Sequence, residues 1–285
     1  MRVVSYNIQY SLGRDGVYDL TRPIDAVRDA DVICLQEVDR HWPRTAMADQ
    51  AADIAALLPD RHWVFGPMLD IDASTVGADG LVHNLRRQYG QMVISRYPIV
   101  SSRTLPLPML HTGSLANAWC CALETVLDTP EGAVRVVNLH LTDISRHNRM
   151  TQVWDLVRRM HDAPIEGGAR CGTDPDPAAQ EHWLYADLPM PHAAIVCGDF
   201  NDEPHSPTLD VMRRAGYRDT WSQATARTSS EVTFRADPAQ GAPHDLRIDF
   251  ILANDGVQVV DAEIDGECEA SDHQPVWATV TLGRT

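Results

Sequence analysis

The sequence predicts a mixed α/β domain of several layers. Short apolar runs ending in a carboxylate or amide recur along nearly the whole chain, and helical apolar spacing fills stretches between them. No composition break, internal repeat or low-complexity run divides the 285 residues. An apolar run of four or five residues is the pattern of a buried strand, and amphipathic helices beside such strands cover sheets. A hydrophobic content of 44% suffices for a large core, as one large domain or two small ones.

The first strand is Val3-Val4-Ser5-Tyr6-Asn7. Thr21 ahead of Arg22-Pro23 marks a helix start, with the helix running to about Asp29 and a strand following from Asp31 to Leu35. Met47, Ala51, Ile54, Ala55 and Leu58 recur at helical spacing until Pro59 stops the pattern. Met68 to Val82 mixes Asp, Gly and small residues without a motif and reads as a flexible loop. Gly90 to Ile94 is a strand. Asn117 to Asp128 and Ala133 to Leu141 flank Thr129-Pro130-Glu131-Gly132, the signal of an antiparallel hairpin.

Met150, Val153, Trp154, Val157 and Met160 space out a helix after His140. The stretch from Ala163 to His192, rich in Gly, Pro and Asp over Ile165 to Ala179, reads as a long surface loop. Its Trp183-Leu184-Tyr185 cluster is expected to pack the loop onto its own domain. Ile195 to Asp199 is a strand. Ser206-Pro207 caps and opens a helix ending near Ala215-Gly216, and Arg247 to Leu252 is a further strand.

Twenty-four basic against 40 acidic side chains give a formal charge of −16. That balance weakens the case for a protein that coats nucleic acid. Discounting Glu37, Asp199, Asp249 and Asp272 still leaves −16 + 4 = −12. The six cysteines form no Cys-x-x-Cys pair, so neither a zinc knuckle nor a disulfide framework is expected, and a reducing cytoplasm is the default. Cys34 and Cys197 sit inside apolar runs, while adjacent Cys120 and Cys121 would face opposite sides of a strand. A strand that begins at Arg2 leaves no room for a signal peptide, and no run reaches transmembrane length. Nothing points to a protein partner.

Chemistry concentrates at the strand ends. Asn7, Glu37 in Leu35-Gln36-Glu37, Asp199 and Asn201 in Gly198-Asp199-Phe200-Asn201, and Asp272 in Ser271-Asp272-His273 bring oxygen donors from separate segments, which suggests one hard-cation site. Asp199 and Asn201, two residues apart, share a side if extended and suit a carboxylate that takes a proton from water beside an amide that holds it. Each motif alone reads equally well as a polar strand end or an Asx turn. A histidine oriented by a carboxylate stays protonated near neutral pH or shuttles a proton, which gives His273 and the acid of Arg247-Ile248-Asp249 a role. His140, in Asn138-Leu139-His140, taken alone is the pattern of a satisfied core histidine.

Together the segments, in this order and across essentially the full length, resemble those of the endonuclease/exonuclease/phosphatase superfamily, the DNase I-like group. The resemblance implies a four-layer α/β/β/α sandwich of two mixed β-sheets flanked by helices, with residues 1–285 as one catalytic domain. It implies a divalent-metal-dependent phosphoesterase that hydrolyses a phosphodiester or phosphomonoester by metal-assisted attack of an activated water. Glu37, Asn7 and Asp272 would hold Mg²⁺ or Mn²⁺, with Asp199, Asn201 and His273 as further metal-site residues. Asp199 would be the base, Asn201 would position the water or contact the phosphate, His273 paired with Asp249 would stabilise phosphoryl oxygens, and His140 would bind an oxygen or assist the leaving group.

Two departures narrow the resemblance. The His140 segment is similar to the histidine-bearing branch rather than to abasic-site endonucleases, and Gly90-Gln91 stands where many relatives have Gly-Asn, so that Gln91 would carry its amide one methylene further out. The acidic balance favours a small phosphoester or a lipid head group as substrate. A nuclease is the alternative, with Arg86-Arg87, Arg146 and Arg149 as candidate cationic grip, although Arg149 and Gln152 also suit one helical face that steadies the His140 segment. A catalytically silent binding module on the same fold is a third possibility.

Overall fold

The computed structural model describes every residue except 112, 114–116, 173–187, 226–230, 238–243 and 284–285. The Trp183-Leu184-Tyr185 cluster therefore lies outside the described residues. Strands β1 (Arg2–Asn7), β2 (Val32–Arg40), β3 (His62–Asp72), β6 (Arg86–Ser95), β13 (Val257–Ile264) and β14 (Val276–Leu282) form one sheet in the order β13-β14-β1-β2-β6-β3. The second sheet has the order β11-β12-β10-β9-β8-β7, from β7 (Ile99–Leu107), β8 (Cys120–Thr129), β9 (Gly132–His140), β10 (Ala194–Asp199), β11 (Arg218–Asp219) and β12 (Asp249–Ala253). In each sheet only the central pair runs parallel, β1 with β2 and β9 with β10, so the sheets share one pattern of directions.

The two sheets pack face to face through the buried side chains of Val3, Val32 and Cys34 on one and Val136, Ile195 and Cys197 on the other. Helices α1 (Thr21–Val27) and α2 (Gln50–Leu57) cover the first sheet through Ile24, Val27, Ala51 and Ile54. Helices α3 (Arg146–Glu166) and α4 (Pro207–Arg214) cover the second through Val153, Leu156, Leu209 and Met212. A short helix, α5 (Thr220–Gln223), follows β11. The layers are helix, sheet, sheet, helix. Two buried amides tie the sheets across this interface: Gln36 donates to Asn138 Oδ1 at 2.6 Å, and Asn138 Nδ2 donates to the carbonyls of Leu35 and Met92 at 2.8 and 3.1 Å.

Most elements follow local chemistry. Ser206 caps α4 by accepting from the Leu209 N–H, with Pro207 first in the helix, and Ser145 caps α3 through Asn148. The hairpin at Thr129–Gly132 forms as its turn residues direct. Cys120 packs under α3 while Cys121 faces inward and bonds Gln91, as strand alternation requires.

Three expectations are corrected. Met47 lies in a left-handed turn outside α2, which Asp49 caps instead through the Ala52 N–H. Helix α3 carries through Ala163 and Pro164 to Glu166, because Ala163 is buried and its turn continues the apolar face, so the loop begins at Gly167. The stretch from Met68 to Val82 is the outer part of a long ribbon, extended beyond β3 and β6 by β4 (Thr75–Val76) and β5 (Val82–His83). Ladder hydrogen bonds rather than side-chain pattern hold that ribbon, and a periodicity reading does not register them. Among the described residues no helix is long and apolar enough to cross a membrane.

Candidate active site

The polar strand ends meet where the parallel pairs finish. Asp199 closes β10, and register sets it opposite His140 of β9 on one side and Asp249 of β12 on the other. Gly198 makes this closeness possible. It has φ 138°, and a Cβ there would lie 1.9 Å from the Leu139 carbonyl oxygen. Across the interface, Asn7 closes β1, and Glu37 escapes the buried alternation of β2 at a register break between Leu35 and Val38, with φ 62°.

Asn7 is the junction between the sheets. Its Nδ2 lies 3.0 Å from Glu37 Oε1, 3.1 Å from Asp199 Oδ2 and 3.4 Å from His273 Nε2, while its Oδ1 accepts from the Gln9 N–H. The other oxygen of Asp199 accepts from the Asn201 N–H at 2.8 Å, which fixes the carboxylate plane. His140 Nε2 and His273 Nε2 stand 3.6 and 3.7 Å from the same Asp199 Oδ2. His273 Nδ1 is 2.8 Å from Asp249 Oδ2, and the Phe234 ring packs 5.1 Å from the imidazole.

The sequence-predicted residues therefore converge. Asn7, Glu37, Asp199, Asn201, His140, Asp249 and His273 are linked through direct contacts, whereas Asp272 is half-buried beside Glu37 and is held by the Ser271 hydroxyl at 3.2 Å. Asn201 reaches the group differently from the extended pair the sequence suggests. Its φ is 50°, and its amide donates to the Leu141 carbonyl at 2.8 Å and lies 3.1 Å from His140 Nε2, so its side chain steadies His140 rather than pointing alongside Asp199. Gln91 makes no bond to the cluster: it donates to the Cys121 carbonyl at 3.1 Å and accepts from the Cys121 thiol.

Charge is unbalanced here. Burial pushes Asp272 up from the ordinary carboxylate range, with Glu37 adding to the effect. Burial works against charge on His273 as well, but Asp249, Asp199 and Asp272 outweigh it and hold the imidazole pKa well above its ordinary value. Burial and the Asp199 charge raise Asp249, against the pull of His273. The two raised values compete for one proton, and we place it on the imidazole, because a neutral His273 would leave Asp199, Asp249 and Asp272 unscreened. Among the described residues no arginine or lysine pairs with Asp199 or Asp249, whose basic neighbours are the His140 and His273 imidazoles. Arg44, nearby, is committed to Asp39 at 2.8 Å.

The donor set fits a hard divalent cation. Glu37 and Asn7 face each other with an amide N–H placed between two carboxylates where a cation would sit, and a protonated His273 Nε2 calls for an acceptor at that same amide. Turning the Asn7 amide would present its oxygen to both. The ligand atoms of Asp199, Asp249 and His273 also lie within 4.8 Å of one another, but the Asp249 to His273 bond already engages two of them.

Several supporting residues carried no readable signal. Thr233 Oγ1 accepts from the N–H groups of Ile248 and Asp249 at 2.9 and 3.0 Å, and Ser271 donates to the Asn7 carbonyl at 2.8 Å. Tyr89 donates to Glu37, and burial together with that carboxylate raises its phenol well above the ordinary value. Among the described residues, every non-glycine positive φ falls at the register break of β2 or in the connections at this end, at residues 37 and 9–11, 41, 46, 47 and 201. Backbone strain of this kind collects at functional sites.

Comparison with known proteins agrees. Solved structures that align with 99% of this chain include an endonuclease/exonuclease/phosphatase from Beutenbergia cavernae, at 24% identity over 72% of that chain with a TM-score of 0.69. An endonuclease/exonuclease/phosphatase from Bacteroides vulgatus aligns at 20% identity over 98% of its length with a TM-score of 0.70. A mannosyl-6-phosphatase from Bacteroides thetaiotaomicron aligns at 18% identity over its full length with a TM-score of 0.68. No curated protein matches by sequence. Residues 4–273 match the Endonuclease/Exonuclease/phosphatase family, and the chain belongs to that family.

Proposed function

We propose that the chain is a divalent-metal-dependent phosphoesterase, one catalytic domain over residues 1–285, acting on a small phosphomonoester or phosphodiester or on a lipid head group. The observation that carries this reading is the convergence of two imidazoles on one oxygen of Asp199, at 3.6 and 3.7 Å, beside the uncompensated carboxylate of Glu37.

Glu37, Asn7 and Asp272 would hold Mg²⁺ or Mn²⁺, with Asp199, Asn201 and His273 bordering it. Such an ion, when bound, neutralises charge developing on the phosphoryl group and leaving oxygen. Asp199, its plane fixed by the Asn201 N–H, takes the proton of the attacking water. His273, held cationic by Asp249, donates from Nε2 to a non-bridging oxygen. His140 meets the remaining phosphoryl oxygen or the leaving oxygen.

The arginines bear on substrate. Arg86 is engaged by Asp70 at 2.7 Å, while Arg149 is bound to the carbonyls of Thr142 and Asp143 at 3.2 and 3.1 Å, with Asp202 at 3.5 Å. Gln152 accepts from the Thr142 N–H, so this helix face steadies the His140 segment, as the second reading of Arg149 expected. Arg87 donates to the His41 carbonyl at 3.0 Å, and only Arg146, exposed at the start of α3, stays available of the four, so the acidic balance rather than the arginines supports small or lipid substrates over a nuclease. The test is a panel of phosphomonoesters, phosphodiesters, lipids and plasmid DNA with Mn²⁺ and with Mg²⁺, run beside Asp199→Asn. Turnover of a small ester that the variant loses is expected, and equal turnover by both proteins would refute the assignment.

A further inference from the structure

On the phosphoesterase reading, we infer that a cavity between the edges of the two sheets takes the hydrocarbon part of an amphiphilic phosphoester. The cavity measures about 390 Å³ and is walled by Pro67 and Met68 of β3, Pro106 and Leu107 of β7, and Met109 and Trp119 of the connection to β8. Its size falls in the range of small-ligand pockets, about 300–1,000 Å³. No charged side chain lines it.

Its placement ties it to the catalytic groups. Cys121, on its wall, precedes Ala122, which pairs with Leu139, so Cys121 lies across from His140. Gln91 reaches Met68 Sδ at 3.8 Å from a position opposite the Glu37 bulge, between the Leu35–Met92 and Val38–Gly90 pairs. The cavity is thus one layer of side chains from Glu37 and His140, at the same end of the sheets. Of three larger cavities, two lie on the helix side of the second sheet and are lined by Arg158, Arg218 and Asp255, or by Arg213, Asp219 and Arg247, and the third, lined by Glu131, His192 and Leu282, lies at the opposite ends of the strands.

Its lip is apolar and open to water. Trp119 is 55% exposed and Met109 38% exposed. Exposed apolar surface of this kind is found at ligand grooves and interaction sites, and the proximity of Glu37 and His140 favours the former here. Among these walls a sugar or a nucleobase would bury polar edges with almost no partners, since Thr104 and two thiols are the polar groups offered. A hydrocarbon chain has no such cost.

The test uses methyl, butyl and octyl p-nitrophenyl phosphodiesters below their aggregation concentrations, with wild type and with Trp119→Gln and Met68→Gln. We expect kcat/KM to rise roughly two- to fourfold per methylene until the cavity is filled. In the variants that slope flattens while the methyl ester is hydrolysed at the wild-type rate. Hydrolysis of all three esters by wild type at one rate overturns this inference and leaves the phosphoesterase reading intact. If the methyl ester is not hydrolysed, that reading fails first, and calorimetry with the corresponding alkylphosphonates decides the cavity: affinity that grows with chain length supports it, and equal affinities overturn it.

Discussion

His273 Nδ1 lies 2.8 Å from Asp249 Oδ2, while the opposite nitrogen of the same ring faces Asp199 Oδ2 at 3.7 Å. One carboxylate thus fixes and charges the imidazole, and the ring presents that charge to Asp199 through Nε2. Asp249→Asn keeps the shape but loses the charge. We expect kcat to fall about 10²- to 10⁴-fold with little change in melting temperature, and His273→Gln to fall by as much. The double variant should lose scarcely more than either single one, because the two act as a unit. Additive losses in steady-state kinetics would show that they act separately.

Gly198→Ala should damage the fold rather than the chemistry. The new methyl would stand 1.9 Å from the Leu139 carbonyl on a backbone at φ 138°. Strain alone costs about 1–3 kcal/mol, and parting β9 from β10 adds to it. Denaturant titration should show a clear loss of stability, whereas a wild-type midpoint would mean that the strands part at no cost.

Asn138 serves the fold from inside. Asn138→Leu takes the side-chain donor from the buried Leu35 and Met92 carbonyls and the shortest acceptor from the Gln36 amide, which keeps Ser5 Oγ and the Cys34 carbonyl at 3.2 Å. An expected cost of about 1–3 kcal/mol for each group left unsatisfied makes this a severe change. Pairing it with Gln36→Leu should recover part of the loss in a double-mutant cycle, and full additivity would argue against a shared network.

Asp49 gives a pH signature. Burial pushes its carboxyl up, but Arg40, bidentate at 2.6 and 2.7 Å, and the Ala52 N–H outweigh that and leave it below the ordinary value. A lowered folded-state pKa contributes stability that is complete above the unfolded value near 4 and is lost as pH falls through the folded value. Asp49→Asn keeps a helix cap but loses the ion pair. Its melting temperature should sit below that of wild type at pH 7, and the two should converge towards pH 2. A constant gap at every pH would place the effect elsewhere.

The sequence made the core strands and the catalytic vocabulary readable because both rest on local pattern. Val3–Asn7 and Ile195–Asp199 are buried on both faces and read as apolar runs, and the side chains of the candidate site end such runs or follow them closely. The edge strands were not legible: β3 alternates weakly between exposed and half-buried positions, and β7 carries a proline. Thr233 was invisible too, since a hydroxyl that accepts two backbone N–H groups has no spacing rule. Asn201 joins the cluster through a contact other than the extended pair its spacing suggests, because its left-handed backbone turns its amide to the Leu141 carbonyl across the sheet.

The central claim is that Glu37 holds a divalent cation that the chemistry needs. Chelator-stripped protein titrated with Mn²⁺, with calorimetric uptake and phosphoester turnover followed together, tests it most directly. The account predicts that uptake and rate rise in parallel, and that folded Glu37→Ala binds more than about tenfold more weakly and stays inactive. Full turnover by the stripped wild-type protein in excess chelator would contradict it.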